Sequence, residues 1–325
     1  MHRSKCLATL ERLTCCSHNR HADLVLGLST ERDLREDHVF WRMRTMIAVN
    51  RLAVALLAAF ALPSTVQAAS PHDFSIYAIR MGGDSSQAKP YIDRFSRHLE
   101  GTLGWPTNSV SGGFYVSRKE ALTAIEQTKP GWAVVEPSLY LELRKSHKPV
   151  VMAQVVSSDL NTPQLMVVVK DPAIKSLADL SGKRLWTQLA DAGKYLSHVV
   201  LDGKGAAETR FQLKQIGAVT KGIRAVLRGE ADATLVDPEQ LAEAKKMEGG
   251  GDLRVIYTSP ALPGLLVVAF PQGLVAAEQK KLTTALVGMC ATPQGGPVCK
   301  EMRIQQFEAT NASLLSTTEK RYDQP

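Results

Sequence analysis

The sequence predicts an α/β protein in which strands and helices alternate in two successive series, each building a mainly parallel sheet flanked by helices. Short apolar runs alternate with helical periods of three and four from Phe74 to Met289. Loops rich in glycine and small polar residues follow several runs and open helices, as parallel strands joined by crossovers require. One unit also occurs twice. "EALTAIEQTKPGWAVVEPSLYLEL" and "KGIRAVLRGEADATLVDPEQLAEA" both read helix, turn, apolar strand, carboxylate, proline, helix.

The first series starts with a strand at Phe74–Ile79, which runs into "RMGGDSSQAKP". The helix that follows carries Ile92, Phe95, Leu99 and Leu103 on one face. Its candidate caps are Asp84, Ser85 and Ser86, and Pro90 suits its first turn. Ser117 lies three residues before Glu120, a capping box that starts the helix bearing Leu122 and Ile125. Lys129-Pro130-Gly131 ends it. Trp132–Val135 is a short buried strand, Glu136-Pro137-Ser138 opens a helix through Lys145, and Val150–Val156 is the next strand.

The second series opens with a strand at Gln164–Lys170, then a capped turn of helix from Ser176 and a strand at Arg184–Thr187 feeding "QLADAGK". Helices are expected near Tyr195–Leu201, Glu208–Ile216 and Gly222–Arg228, and a strand at Ala233–Val236. Gly249-Gly250-Gly251 breaks the next helix. Strands Leu253–Tyr257 and Leu265–Phe270 lead to an amphipathic helix with Leu282, Leu286 and Met289.

Upstream, "MIAVNRLAVALLAAFALPSTVQAAS" begins at Met46 and has the parts of a secretory signal in order. Basic residues Arg42, Arg44 and Arg51 flank an apolar run, Leu52 to Leu62, and Val66-Gln67-Ala68 is a small-residue cleavage site. That run is short of the about 20 residues a spanning helix needs. The expectation is a removable signal at 46–68, with a membrane anchor as the alternative. Residues 1–45 show no sustained period, and we read them as disorder or as an extension upstream of a start at Met43 or Met46. The Cys15-Cys16-Ser17-His18 and His21 group there matches no zinc spacing.

Residues 69–325 hold 30 basic and 26 acidic residues, scattered among one another, and aromatic residues make up 6% of the whole sequence. Neither a basic stripe nor a stacking platform for nucleic acid is present. Cys290 and Cys299 are the two cysteines after the signal, and "ATPQGGPV" between them is rich in turn formers. An oxidising compartment would let them form a disulfide, and two reduced thiols are the alternative.

The phrases "IKSLADLSGKRLW", "RGEADATLVD" and "TSPALPGLLVVAFP", with the signal and the two α/β series, resemble the type 2 periplasmic solute-binding proteins, in the phosphonate- and phosphate-type branch serving ABC transporters. The resemblance spans most of residues 72–310. It implies two lobes joined by two crossover strands, near 156–166 and 263–271, with the second lobe inserted in the first. Lobe 1 is then 69–160 with 266–325, and lobe 2 is 161–265. One position departs from the family. A Ser-Thr-Ser-Gly-like stretch that holds the oxyanion is replaced here by Ala190-Asp191-Ala192-Gly193-Lys194.

Open α/β sheets bind ligands at the carboxyl ends of their strands. The candidate ligand-binding residues are therefore Gly83, Asp84, Ser85, Ser86, Tyr115, Ser117, Glu136, Ser138, Tyr140, Asp191, Gly193, Lys194 and Asp237. For Ser117 and Asp237 a simple helix cap is the competing role. Carboxylates favour a polar or cationic solute and the resemblance favours an oxyanion. An enzyme on the same fold and a ligand-binding sensor subunit for a membrane receptor are the alternative functions. The sequence lacks a phosphate loop, a Gly-x-Ser-x-Gly elbow and a His-Glu-x-x-His motif. His72, His98, His147 and His198 are far apart in sequence. The expectation is a periplasmic monomer with a small-molecule ligand, an ABC permease partner, no nucleic acid, no metal and no cofactor.

Overall fold

The computed structural model describes residues 70–79, 85–157, 164–204 and 207–325. The expectations for residues 1–45, for the signal at 46–68, for Gly83 and Asp84, and for much of the first crossover lie outside these. The first sheet takes β1 (Phe74–Tyr77), β2 (Gly112–Tyr115), β3 (Trp132–Val135), β4 (Val150–Ser157), β10 (Leu265–Ala269) and β11 (Ile304–Glu308), in the order β11-β4-β10-β3-β1-β2. The second takes β5 (Met166–Val169), β6 (Arg184–Thr187), β7 (Gln212–Gln215), β8 (Ala233–Val236) and β9 (Arg254–Thr258), in the order β7-β6-β8-β5-β9. The chain thus leaves the first sheet after β4 and returns to it at β10.

Helices α1 (Ser85–Leu103), α2 (Arg118–Thr128) and α3 (Pro137–Ser146) connect the strands of the first series. In the second, α4 (Gly193–Tyr195) continues into a π-helix at Leu196–Val200, and α5 (Ala207–Arg210), α6 (Val219–Leu227) and α7 (Pro238–Lys245) follow. Then come α8 (Ala276–Met289), α9 (Gly295–Glu301) and α10 (Ala312–Tyr322).

The expectation of mainly parallel sheets needs correction. β1 pairs parallel with β2 and β3, and β6 pairs parallel with β7 and β8. By contrast β10 runs antiparallel to β3 and β4, β11 to β4, and β5 to β8 and β9. The crossover helices force parallel pairing only where they connect neighbours. Strands that enter a sheet from the other lobe are under no such constraint.

A second correction concerns 208–216, read as one helix. The chain there forms the short α5 and then β7, an edge strand in register with β6 from Arg184↔Gln212 to Thr187↔Gln215. Only Leu213 of β7 is even half-buried by the core, so the strand carries little periodic signal and its state is set by pairing with β6. β2, α9, β11 and α10 were likewise without a clear period in the sequence.

Strands β1, β3, β8 and β10 are buried at every position, as expected of strands covered on both faces. In the first sheet Phe74, Ile76, Trp132, Val134 and Val267 pack against Phe95 and Leu99 of α1 and Leu282 and Leu286 of α8. The opposite face, with Tyr77, Val135 and Leu266, packs on Ile125 of α2 and Leu139 and Leu143 of α3. That core runs on without a break to Val167, Leu185 and Leu235 of the second sheet and to Leu196 and Val199 of the π-helix. Val168 and Val236 face Ile223 and Val226 of α6 on the far side.

Gly249 adopts a left-handed φ of 72°, and a Cβ on Gly250 would lie 2.0 Å from the carbonyl oxygen of Ala244. This is why the glycine run ends α7 and turns the chain into β9. Cys290, at the end of α8, and Cys299, in α9, form a disulfide with sulfurs 2.07 Å apart.

Candidate functional site

The carboxyl ends of the parallel strands in the two sheets meet. Gln188, the residue after β6, is buried, and its Nε2 donates to the carbonyl oxygen of Ile79 beyond β1 at 3.0 Å. The same amide donates to the carbonyl of Gly217 at 3.2 Å. Gln215 of β7 braces the loop from below, donating to the carbonyl of Gln188 at 2.9 Å and accepting from the Asp191 N–H at 3.1 Å. The edge strand that sequence reading missed therefore shapes the site.

Beside this bridge lies a cavity of about 1170 Å³ bounded by both sheets. Ile76, Phe114, Val134, Val155 and Leu265 supply its wall from the first sheet. Gln188, Thr220 of α6, and Asp237, Glu239, Gln240 and Glu243 around the start of α7 supply the wall from the second.

The repeated strand–carboxylate–proline–helix unit is present in both sheets. Glu136 and Asp237 each occupy the N-cap directly after a buried strand, with proline in the first helical turn. Their side chains behave differently. Asp237 forms a reciprocal capping box, accepting from the Gln240 N–H at 2.8 Å while Gln240 Oε1 accepts from the Asp237 N–H at 3.0 Å. Glu136, 3% exposed, makes no side-chain cap bond. Its charge, after burial itself, holds the Tyr77 hydroxyl well above the usual phenol range.

A second polar group centres on Arg118, the first residue of α2 and 8% exposed. Ser117 before it caps the helix, accepting from the Glu120 N–H at 3.5 Å. Arg118 Nη2 donates to the Ser138 carbonyl at 3.2 Å and to the Glu142 carboxylate, and Nη1 is 3.5 Å from Ser138 Oγ. The same guanidinium opposes the rise in the Tyr77 pKa. Asp191 comes from the second sheet. More than a third of its surface is open to solvent, yet enough protein surrounds the carboxyl for desolvation to raise its pKa, against the opposing charge of Arg118. Asp191 thus sits within the field of a buried arginine.

Arg118 was not among the residues read from the sequence. A signal was available, because a cation in the first turn of a helix opposes the macrodipole and needs compensation from elsewhere. Tyr77, Gln188 and Glu142 were also missed, and nothing in their spacing marks them.

The remaining candidates are more dispersed. Ser85 Oγ donates to the Phe114 carbonyl at 2.9 Å and pins the start of α1 to β2. Ser86 is exposed in the same turn, and Tyr115 is half-buried at the end of β2. The Tyr140 hydroxyl is taken up by Glu319 of α10 at 2.6 Å. Gly193 and Lys194 begin α4, where Lys194 Nζ lies 5.0 Å from the ring centre of Tyr322. Among the described residues, no three His, Cys, Asp or Glu side chains are grouped to hold a metal ion, and no helix is long and apolar enough to cross a membrane.

Solved structures share this arrangement. The binding protein component of an ABC phosphonate transporter from Pseudomonas aeruginosa is 17% identical, with a TM-score of 0.54 over 77% of this chain and 87% of that one. PhnD1 from Prochlorococcus marinus, in complex with methylphosphonate, is 15% identical, with a TM-score of 0.56 over 78% and 97%. XAC2383 from Xanthomonas citri, bound to ATP, is 15% identical, with a TM-score of 0.61 over 77% and 97%. At these identities the likeness shows the two-lobe fold. No curated protein matches the sequence. Residues 84–315 match the family described as "ABC transporter, phosphonate, periplasmic substrate-binding protein", and since that span is well over half the chain, the protein belongs to this family.

Proposed function

We propose that this chain is the extracytoplasmic subunit that captures a small solute between two lobes and presents it to an inner-membrane ABC permease. Lobe 1 comprises residues 69–160 and 266–325, and lobe 2 residues 161–265. The separate sheets and the two passages of the chain between them support that division. The segment 46–68 directs export and is removed, and the mature protein works as a monomer that binds no nucleic acid.

The observation that carries this reading is the cavity where the strand ends of both sheets meet, beside the Gln188–Ile79 bridge. A solute seated there touches both lobes, so binding favours their approach. The motion requires changes at a few backbone torsions in the two passages, after β4 and before β10. The work is binding without chemistry. Its charged groups are held by protein partners, Asp237 by the Gln240 backbone and Arg118 by Glu142, which suits recognition better than proton transfer.

The test is thermal unfolding and small-angle X-ray scattering of the purified protein with phosphate, phosphonates, sulfonates, amines, amino acids and divalent metals. A solute at ~100 times its dissociation constant stabilises the fold by about 2.7 kcal/mol. The expected result is such a shift together with a smaller radius of gyration. A scan in which no solute changes either quantity overturns the reading.

A further inference from the structure

The two sheets share one core on one face and keep separate cores on the other. On the shared face Leu139 and Tyr140 of α3 belong to the same continuous cluster as Leu189, Tyr195 and Leu196 of the second series. On the opposite face Ile76, Val134, Val155 and Leu265 belong to the core of the first sheet, whereas Ile223 and Ala244 belong to a distinct core of the second. The cavity of about 1170 Å³ is lined by side chains of both of these cores and so lies between them.

Half-buried carbon reaches the cavity from each side. Ala88, Met302 and Ile304 pack on the first core, Val219 and Met247 pack on the second, and all of them line the cavity. Protein interiors leave few voids larger than a water molecule, so an apolar-lined space of this size between two cores is not a packing defect. Its volume is of the order of pockets that hold small molecules, about 300–1,000 Å³.

Much of the polar lining is committed to the protein itself. The Gln188 amide holds two backbone carbonyls, at 3.0 and 3.2 Å. Asp237 and Gln240 cap each other's backbone N–H groups, Glu243 pairs with Lys246 at 2.5 Å, and Glu301 pairs with Arg94 at 2.5 Å. Gln87, Ser157 and Arg303 are engaged as well. A polar solute would compete with these bonds, whereas hydrocarbon covers the apolar lining without disturbing any of them.

We propose that the cavity takes a small solute with a hydrocarbon body of several carbons, a chain or a ring, which lies between the two separate cores and joins them. This names the solute class and rests on the reading of the chain as a solute-capturing subunit. Affinity comes from the carbon surface removed from water, and a body that touches both cores draws the lobes together. The polar end of the solute shifts all affinities alike and leaves the gain per carbon unchanged.

The experiment is isothermal titration calorimetry of the purified protein with two matched series, n-alkylphosphonates and n-alkanols, from methyl to octyl. Affinity is expected to rise about fourfold with each methylene in both series until the lining is covered, which is the transfer free energy of one methylene expressed as a ratio. Methionine methyl resonances locate the carbon. Octylphosphonate should move those of Met247 and Met302, on opposite sides of the cavity, more than those of Met152 and Met289, which belong to or pack on the first core outside the lining. Met302→Ser and Val219→Ser, both at half-buried positions, should each flatten the chain-length slope.

Phosphate or methylphosphonate bound as tightly as the octyl compound overturns the inference and leaves solute capture intact. A slope that neither variant changes, with the larger shifts at Met152 and Met289, places the carbon elsewhere and also overturns it. If neither series binds while another solute in the wider screen closes the lobes, the inference falls alone. If nothing in that screen binds either, both readings fall.

Discussion

The side-chain amide of Gln188 donates to the main-chain oxygen of Ile79 at 3.0 Å, a hydrogen bond between groups 109 positions apart in sequence that joins the end of β6 to the end of β1. The donor is buried, and the same nitrogen also holds Gly217. Replacing Gln188 by Leu leaves both carbonyls without this partner, at a cost of about 1–3 kcal/mol for each one kept from water. The expected outcome is a lower midpoint in urea and, by scattering, a larger radius of gyration without solute. An unchanged radius would show that the bridge does not hold the lobes together.

Asp191 sets a pH dependence. Burial raises its folded-state pKa above the usual aspartate value, so the folded protein binds this proton more tightly than the unfolded chain. The charged form therefore costs stability above the raised folded value, and the cost disappears as pH falls through that value toward the unfolded one. Asp191→Asn should raise the melting temperature at pH 7, and its advantage should vanish in acid. Equal shifts at pH 7 and pH 3 would contradict the raised value.

Asp232 has the opposite sign. Its carboxylate accepts from Arg184 Nε at 3.0 Å and from the Arg184 N–H at 2.8 Å, and Arg184 holds its pKa below the usual value. The stability it contributes is present above the unfolded pKa and is lost as pH falls through the lowered folded value. Asp232→Asn should destabilise at neutral pH, by around 1 kcal/mol for a partly exposed pair with a backbone bond. The difference from the parent protein should close in a urea titration as pH falls through the lowered folded value.

Arg118 is the cation whose charge opposes the raised pKa of Asp191. Arg118→Met should raise the Asp191 pKa further, read by NMR titration of its carboxyl carbon. Glu142, partly exposed, stays hydrated when its partner is removed. A variant with an unmoved Asp191 titration would show that the two charges are not coupled.

Helix α10 is tied to elements of both sheets. Glu319 accepts from Tyr140 of α3 at 2.6 Å, and Arg321 Nε lies 3.2 Å from Asp202, which follows the π-helix. Removing both ties, with Tyr140→Phe and Arg321→Ala, should speed hydrogen exchange in α10 and the π-helix while leaving β1 and β3 protected. Uniform loss of protection across both sheets would point instead to global destabilisation.

Trp132–Val135 and Ala233–Val236, buried at every position, and Arg184–Thr187, buried at alternate positions, were bounded correctly from sequence because all three are short runs closed by turn or cap residues. The carboxylate–proline helix starts at Glu136 and Asp237 were equally visible, since capping is a local matter. β7 was illegible because Gln212–Gln215 has no periodic face and becomes a strand only by pairing with β6. Ser138 and Asp191 were named for the site, but Arg118, which brings them into one electrostatic group, was not.

By itself the sequence determined the alternation of strands and helices, the caps, the family and the cysteines available for a disulfide, because each depends on neighbours along the chain. Tertiary structure decided the antiparallel return of β10 and β11, the seating of Gln188 on Ile79, the Arg118–Asp191 relation and the interlobe cavity. These depend on groups tens to hundreds of residues apart. Their proximity follows from burial of strand faces in a shared core, which short-range periodicity does not encode.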